Sequence, residues 1–136
     1  MGLSTNLWGK HGWYFIHFVA LNYPIKPTDK DKKDYTTFLE SLPDVLPCPV
    51  CGYHFRENLK SMPPNLNSRE EFFMWTVDVH NFVNKMNGKD EVTYEEAYQL
   101  LQKKTNENDN LMKGLILSMS VVSLLVLFSY TVAKRL

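Results

Sequence analysis

Apolar positions recur every three or four residues along most of the first hundred residues of the chain, a period that predicts helices rather than strands. Residues 7–23 place Trp13, Ile16, Ala20 and Tyr23 on one side, with Pro24 as the stop. Aromatic residues fill much of the other side too, so this helix needs several packing partners or a flat ligand to cover it. The charged stretch from Lys26 to Lys33 reads as an exposed loop. Tyr35, Phe38, Leu39 and Leu42 then mark a second helix from about Asp31 to Leu42, ended by Pro43. A third is expected from Cys48 to about Ser61, with Phe55 and Leu59 facing inward and Met62-Pro63-Pro64 breaking it.

Ser68 followed by Glu71 has the form of a capping box and opens a fourth helix. In it Phe72, Trp75, Thr76, Val79, Val83 and Met86 repeat at helical spacing to about Asn87, with Gly88 as the C-cap. A second box, Thr93 and Glu96, opens a short fifth helix with Tyr94, Ala97, Leu100 and Leu101 on one face. No strand pattern and no internal repeat is visible, and the fold class is all-α. Between Lys113 and Lys134 no charge intervenes, and the apolar run Leu115 to Val132 is long enough to cross a bilayer core of roughly 30 Å. The expected organisation is therefore a helical domain over 1–104, a polar linker over 105–112 and a C-terminal transmembrane tail anchor over 113–136. That anchor would leave the working domain facing the cytoplasm.

Charge narrows the function classes. Residues 1–112 hold all 15 acidic and 12 of the 15 basic residues, a net of −3, which argues against a nucleic-acid partner. No basic segment followed by an apolar one opens the chain as a secretory signal would, and Asn6 stands where a myristoylation motif wants Ser or Thr.

The two cysteines, Cys48 and Cys51, stand in Pro47-Cys48-Pro49-Val50-Cys51. Thiols at this spacing can close on each other, and at a helix start the unpaired N–H groups and the helix dipole favour a thiolate. A structural staple explains them poorly, because so small a loop removes little entropy from the unfolded chain. The rival is zinc: Cys48, Cys51 and His54 read C-x2-C-x2-H, and His17 or His80 would supply a fourth ligand. His17 lies on an apolar helix face, where a histidine is more often a hydrogen-bonded core residue than a ligand contact. A thioredoxin-like reading lacks the strand it needs before the CxxC.

Four or five short helices make an incomplete core for about a hundred residues, so dimerisation or a cofactor with apolar surface of its own would add needed stability. A CxxC that creates disulfides must also hand two electrons onward. The Trp, Tyr and Phe content suggests a flat aromatic acceptor.

Three spaced motifs resemble one family. Trp8-Gly9, Trp13, His17, Ala20 and Tyr23-Pro24 are similar to the pattern that opens the Erv/ALR sulfhydryl oxidases; Cys48-Pro49-Val50-Cys51 with His54-Phe55 is similar to their C-x-x-C-x-x-H-F. Trp75, His80-Asn81-Phe82-Val83-Asn84 and Gly88-Lys89 resemble their W-x4-H-N-x-V-N-x3-G-K. The resemblance spans Trp8 to Lys89. It implies a four-helix bundle plus a short fifth helix that binds FAD and forms a homodimer.

The same resemblance implies that Cys51 is the flavin-proximal sulfur and Cys48 the one that substrate thiolates attack. Trp13, His17, His80, Asn81, Val83, Asn84 and Lys89 would line the FAD, with Tyr94 as a further aromatic contact. Electrons would pass from protein dithiols, directly or through a thioredoxin-like shuttle protein, to the flavin and then to O2 as hydrogen peroxide. This reading calls for no metal. The chain departs from many relatives in having no second cysteine pair to act as shuttle. With the expected anchor, the resemblance points to a viral member oxidising virion proteins at a viral factory or virion membrane. The competing function is a zinc-stabilised, tail-anchored protein-binding adaptor without catalysis, which would have no use for the aromatic and HNxVN motifs.

Overall fold

A computed structural model describes the backbone of residues 2–133, and their side chains except at 114 and 118–133. The described residues form five helices and no strand: α1 Thr5–Leu21, α2 Asp29–Val45, α3 Pro49–Ser61, α4 Arg69–Met86 and α5 Tyr94–Ala133. The all-α expectation holds.

Local chemistry explains most helix limits. The Ser4 hydroxyl accepts from the backbone N–H of Asn6 at the start of α1. At α2, Thr28 and Asp31 make a reciprocal box, the Thr28 hydroxyl accepting from Asp31 N–H and the Asp31 carboxylate from Thr28 N–H at 2.8 Å. The helix therefore begins inside the stretch expected to be loop, because Thr28 offers its cap ahead of the first apolar residue. It also runs through Pro43 to Val45. Proline so close to a helix end forfeits one backbone bond, and Leu46 N–H still reaches Leu42 O at 3.1 Å. Pro49 occupies the first position of α3, where its missing N–H costs nothing. Ser68 caps α4, and beyond its other end Gly88 takes the left-handed φ of 63° expected of a glycine C-cap. Both bonds of the Thr93–Glu96 box are present.

The chain divides into two compact units, Met1–Ala97 and Tyr98–Leu136. Within the first, α1 packs on α4 and α2 on α3. An aromatic knot ties the pairs together. Tyr23, at the end of α1, meets Tyr35 of α2 edge to face with centroids 4.6 Å apart and Phe72 of α4 at 5.3 Å. Tyr23 and Phe72 are fully buried, and the Tyr23 hydroxyl donates to Leu66 O at 3.0 Å. Trp75 Nε1 donates to Met62 O at 2.9 Å, joining α4 to the end of α3. Phe55 is buried as expected, whereas Leu59 is half-buried.

The second unit contains the rest of α5. Residues 105–112, read above as a polar linker, are helical, and the fifth helix, expected to be short, has 40 residues. Among the described residues no helix is long and apolar enough to cross a membrane. The C-terminal transmembrane tail anchor, and with it the cytoplasm-facing placement on a viral factory or virion membrane, is corrected on that finding. Residues 118–136, which contributed most of the apolar run and its basic end, lie outside those whose side chains are described.

Candidate redox and cofactor site

The sulfur chemistry sits where α2 hands over to α3. Cys48 is the N-cap of α3, with extended backbone, and Cys51 lies in the first turn. The two form a disulfide with Cα atoms 5.2 Å apart. Cys51 N–H points at Cys48 Sγ, 3.2 Å away, so the helix start presents its donor to the first sulfur rather than the second. Gly52 lets this end of α3 press against α2, because a side-chain carbon there would overlap the Pro43 carbonyl oxygen. The N-terminal segment lies alongside, with Leu3 N–H donating to Pro47 O at 2.8 Å. Around the disulfide the apolar side chains of Val45, Val50 and Tyr53 are exposed.

A second cluster is built by α1 and α4. Trp13 and His17 are four residues apart and share a face of α1, while Phe73, Thr76 and His80 follow one another along a stripe of α4. The Trp13 and His80 rings stack with centroids 4.2 Å apart and planes 10° apart. His17 Nε2 lies 3.0 Å from His80 Nδ1, and His17 Nδ1 lies 2.9 Å from the Thr76 hydroxyl. Phe73 meets the His17 ring edge to face at 6.1 Å.

Burial, with the charge of neighbouring His80 in second place, pushes the His17 pKa down to about 4. Burial, followed by the charge of Lys89, lowers that of His80 to about 4 as well. Both rings are therefore neutral near pH 7.

The loop after α4 is tied back onto that helix. Lys89 N–H donates to Asn84 O at 2.9 Å. The Asn81 amide makes two bonds to the backbone of Val92, donating to its carbonyl at 2.8 Å and accepting from its N–H at 3.0 Å. Asn81 thus pins the loop that carries Lys89. Val83 and Asn84 are half-buried, and Lys89 is exposed. The Tyr94 hydroxyl donates to Asp78 Oδ1 at 2.6 Å, and this bond raises its pKa.

Of the residues singled out in the sequence, Trp13, His17 and His80 come together directly, Asn84 and Lys89 are joined through the backbone, and Cys48 with Cys51 belongs to the other helix pair. The sequence reading missed what Thr76 and Phe73 do here. The available signal was a hydroxyl four residues before His80 in an otherwise apolar stripe. Trp8, which opens the first family motif, has its Nε1 buried without a hydrogen-bond partner among the described residues.

Zinc fits poorly. Both sulfurs are spent in one disulfide, His17 and His80 bond each other, and no group of three His, Cys, Asp or Glu among the described residues could hold a metal. A flat dinucleotide cofactor suits the donor set better: an aromatic stack, a neutral imidazole edge and a lysine cation beside it.

Comparisons with known proteins point the same way. The sequence profile of the Erv1 / Alr family matches residues 10–108. The chain is 44% identical over 104 residues to a probable FAD-linked sulfhydryl oxidase of Acanthamoeba polyphaga mimivirus, covering 74% of this chain and 73% of that relative. It is 43% identical over 81 residues to an FAD-linked sulfhydryl oxidase of Arabidopsis thaliana, covering 60% of this chain and 42% of the plant protein. Among solved structures, the yeast Erv1 core superposes with a TM-score of 0.66 at 30% identity, over 70% of this chain and 80% of that one. The FAD binding domain of Erv1 from Saccharomyces cerevisiae gives the same TM-score at 31% identity, over 68% and 89% respectively.

Proposed function

The chain belongs to the Erv1 / Alr family, and from that premise we propose that it is an FAD-dependent sulfhydryl oxidase that makes disulfides in protein dithiols. The observation that carries this reading is the Cys48–Cys51 disulfide at the start of α3, flanked by exposed side chains, in a chain whose relatives are named FAD-linked sulfhydryl oxidases.

A substrate thiolate attacks Cys48 Sγ; the Cys48–Cys51 bond breaks, a mixed disulfide forms, and Cys51 leaves as thiolate. The second substrate thiolate attacks the substrate sulfur of that mixed disulfide. Cys48 then leaves as thiolate, carrying the pair's second electron, and the substrate departs as a disulfide. The Cys51 N–H that already points at Cys48 Sγ stabilises this leaving group.

Trp13, His17, His80, Asn84 and Lys89 would hold FAD, with Asn81 fixing the loop that bears Lys89. Bound FAD supplies an acceptor for the electron pair and its onward transfer to O2, giving hydrogen peroxide. Trp13 and His80 offer a flat surface for a ring system, and the Lys89 cation suits a pyrophosphate. Substrates reach Cys48 directly or through a thioredoxin-like shuttle protein. Leu7, Phe15 and Phe18 leave an apolar, exposed stripe on α1, which supports a homodimer.

Purified protein should be yellow, with flavin bands, and should consume O2 in the presence of a dithiol. Cys51→Ser should keep the colour and lose O2 consumption. Colourless protein that takes up no FAD would sink the reading.

A further inference from the structure

A hydroxyl has a single proton to give, and this fixes the direction of a whole chain of bonds. Thr76 is fully buried, and its hydroxyl donates to Phe73 O at 2.7 Å. Toward His17 Nδ1, 2.9 Å away, the same oxygen can only accept, so Nδ1 of His17 carries the proton. His17 is neutral near pH 7, which leaves its Nε2 as a lone pair. His80 Nδ1 lies 3.0 Å from that lone pair and must be the donor. A neutral His80 with its proton on Nδ1 has a bare acceptor at Nε2.

We propose that Thr76 is a positioning residue: through His17 it locks His80 in the Nδ1–H tautomer, so that the stacked His80 ring offers Nε2 to a hydrogen-bond donor of the dinucleotide, a hydroxyl or ring N–H. The assignment of the ligand rests on the functional reading above. The lock itself does not. It divides the cofactor site by chemistry: a phosphate oxygen has no proton to offer the Nε2 lone pair and is repelled by it, so the pyrophosphate goes to Lys89 and a protic part of the cofactor goes to His80. Trp13, stacked on His80, holds the plane in which that lone pair lies.

Replacing Thr76 by Val keeps the shape and removes the hydroxyl; replacing it by Ser keeps the hydroxyl. The test is imidazole nitrogen NMR on full-length protein without FAD at neutral pH, for wild type, Thr76→Val and Thr76→Ser. Wild type and Thr76→Ser should show both His17 and His80 with the proton on Nδ1. In Thr76→Val, a measurable share of His80 should move its proton to Nε2. FAD affinity, measured by titration, should fall about tenfold in Thr76→Val, the scale of one neutral hydrogen bond, and recover in Thr76→Ser.

A wild-type His80 protonated on Nε2, or a Thr76→Val spectrum identical to wild type, overturns the lock. A correct tautomer pattern with unchanged FAD affinity in Thr76→Val overturns the role in cofactor binding. Wild-type protein with the expected tautomers and no affinity for FAD overturns that role together with the functional reading, and is told apart from failure of the lock by the spectrum.

Discussion

On the α1–α4 pair the polar groups are drawn inward: His17 and Thr76 are buried, they bond each other, and burial keeps both histidines neutral. On the α2–α3 pair the reactive group is turned outward, with the disulfide half-buried at a helix start and Val50 and Tyr53 more than half exposed beside it. Under the proposed function the difference suits what each pair would meet. A group that holds a cofactor gains from dryness, which strengthens its hydrogen bonds and fixes its protonation. A sulfur that must be attacked by a thiolate on another protein needs to be reached.

The largest effect that would test this division comes from the cysteines. Cys48→Ser or Cys51→Ser should reduce dithiol oxidation by about a thousandfold or more, because neither serine can form the disulfide. FAD content, read from flavin absorbance, should stay unchanged, since the proposed cofactor residues sit on the other pair. Loss of flavin in either variant would show that the two regions are not separable.

Next in size is Gly52→Ala. Its methyl group would collide with the Pro43 carbonyl, a part of the backbone that cannot swing away, and should cost about 3 kcal/mol. A thermal melt would register this, and a melting temperature equal to wild type would mean that α2 and α3 approach less closely than described.

Acid should act on the α1–α4 pair. His17 and His80 titrate near 4 when folded and near 6.5 when unfolded, so below 6.5 the unfolded chain binds more protons than the folded one. Their contribution to stability is complete above pH 6.5 and is lost as the pH falls from 6.5 toward 4. Melting temperatures over that range should fall with pH for wild type and fall less steeply for a His17→Gln variant. Lys89 is the cation that adds to the effect at His80.

The smallest expected change is Asn81→Ala. It removes two bonds to Val92 at the exposed end of α4 and should cost about 1 kcal/mol. If Asn81 serves the cofactor by holding the Lys89 loop, FAD affinity measured by titration should weaken severalfold alongside that modest loss of stability. An affinity equal to wild type would leave Asn81 a purely local tie.

Much of this was legible along the chain because it rests on neighbours in sequence. The Thr93–Glu96 box, the Ser68 cap, the glycine after α4 and the cysteine pair at a helix start all depend on residues within four positions of each other. Thr28 is the exception that shows the limit: its cap partner Asp31 is equally local, but the surrounding lysines and aspartates looked like a solvated loop. Pro43 misled in the other direction, since a proline is tolerated where only one helix bond remains to be lost. The C-terminal apolar run suggested a membrane anchor by composition alone, whereas among the described residues no helix is long and apolar enough to cross a membrane.

By itself, the sequence determined the helical class, the CxxC and the family motifs, because periodicity, capping and spacing are properties of the chain read in order. Only the tertiary structure decided that Thr76 meets His17, that His17 meets His80 and that Trp13 covers His80, pairs that lie on different helices or require a particular helix face. Each contact between α1 and α4 spans about sixty residues of sequence, and no local rule carries a side chain's protonation across that distance. It took the packing of one helix on the other to join a hydroxyl, two imidazoles and an indole into one directed chain.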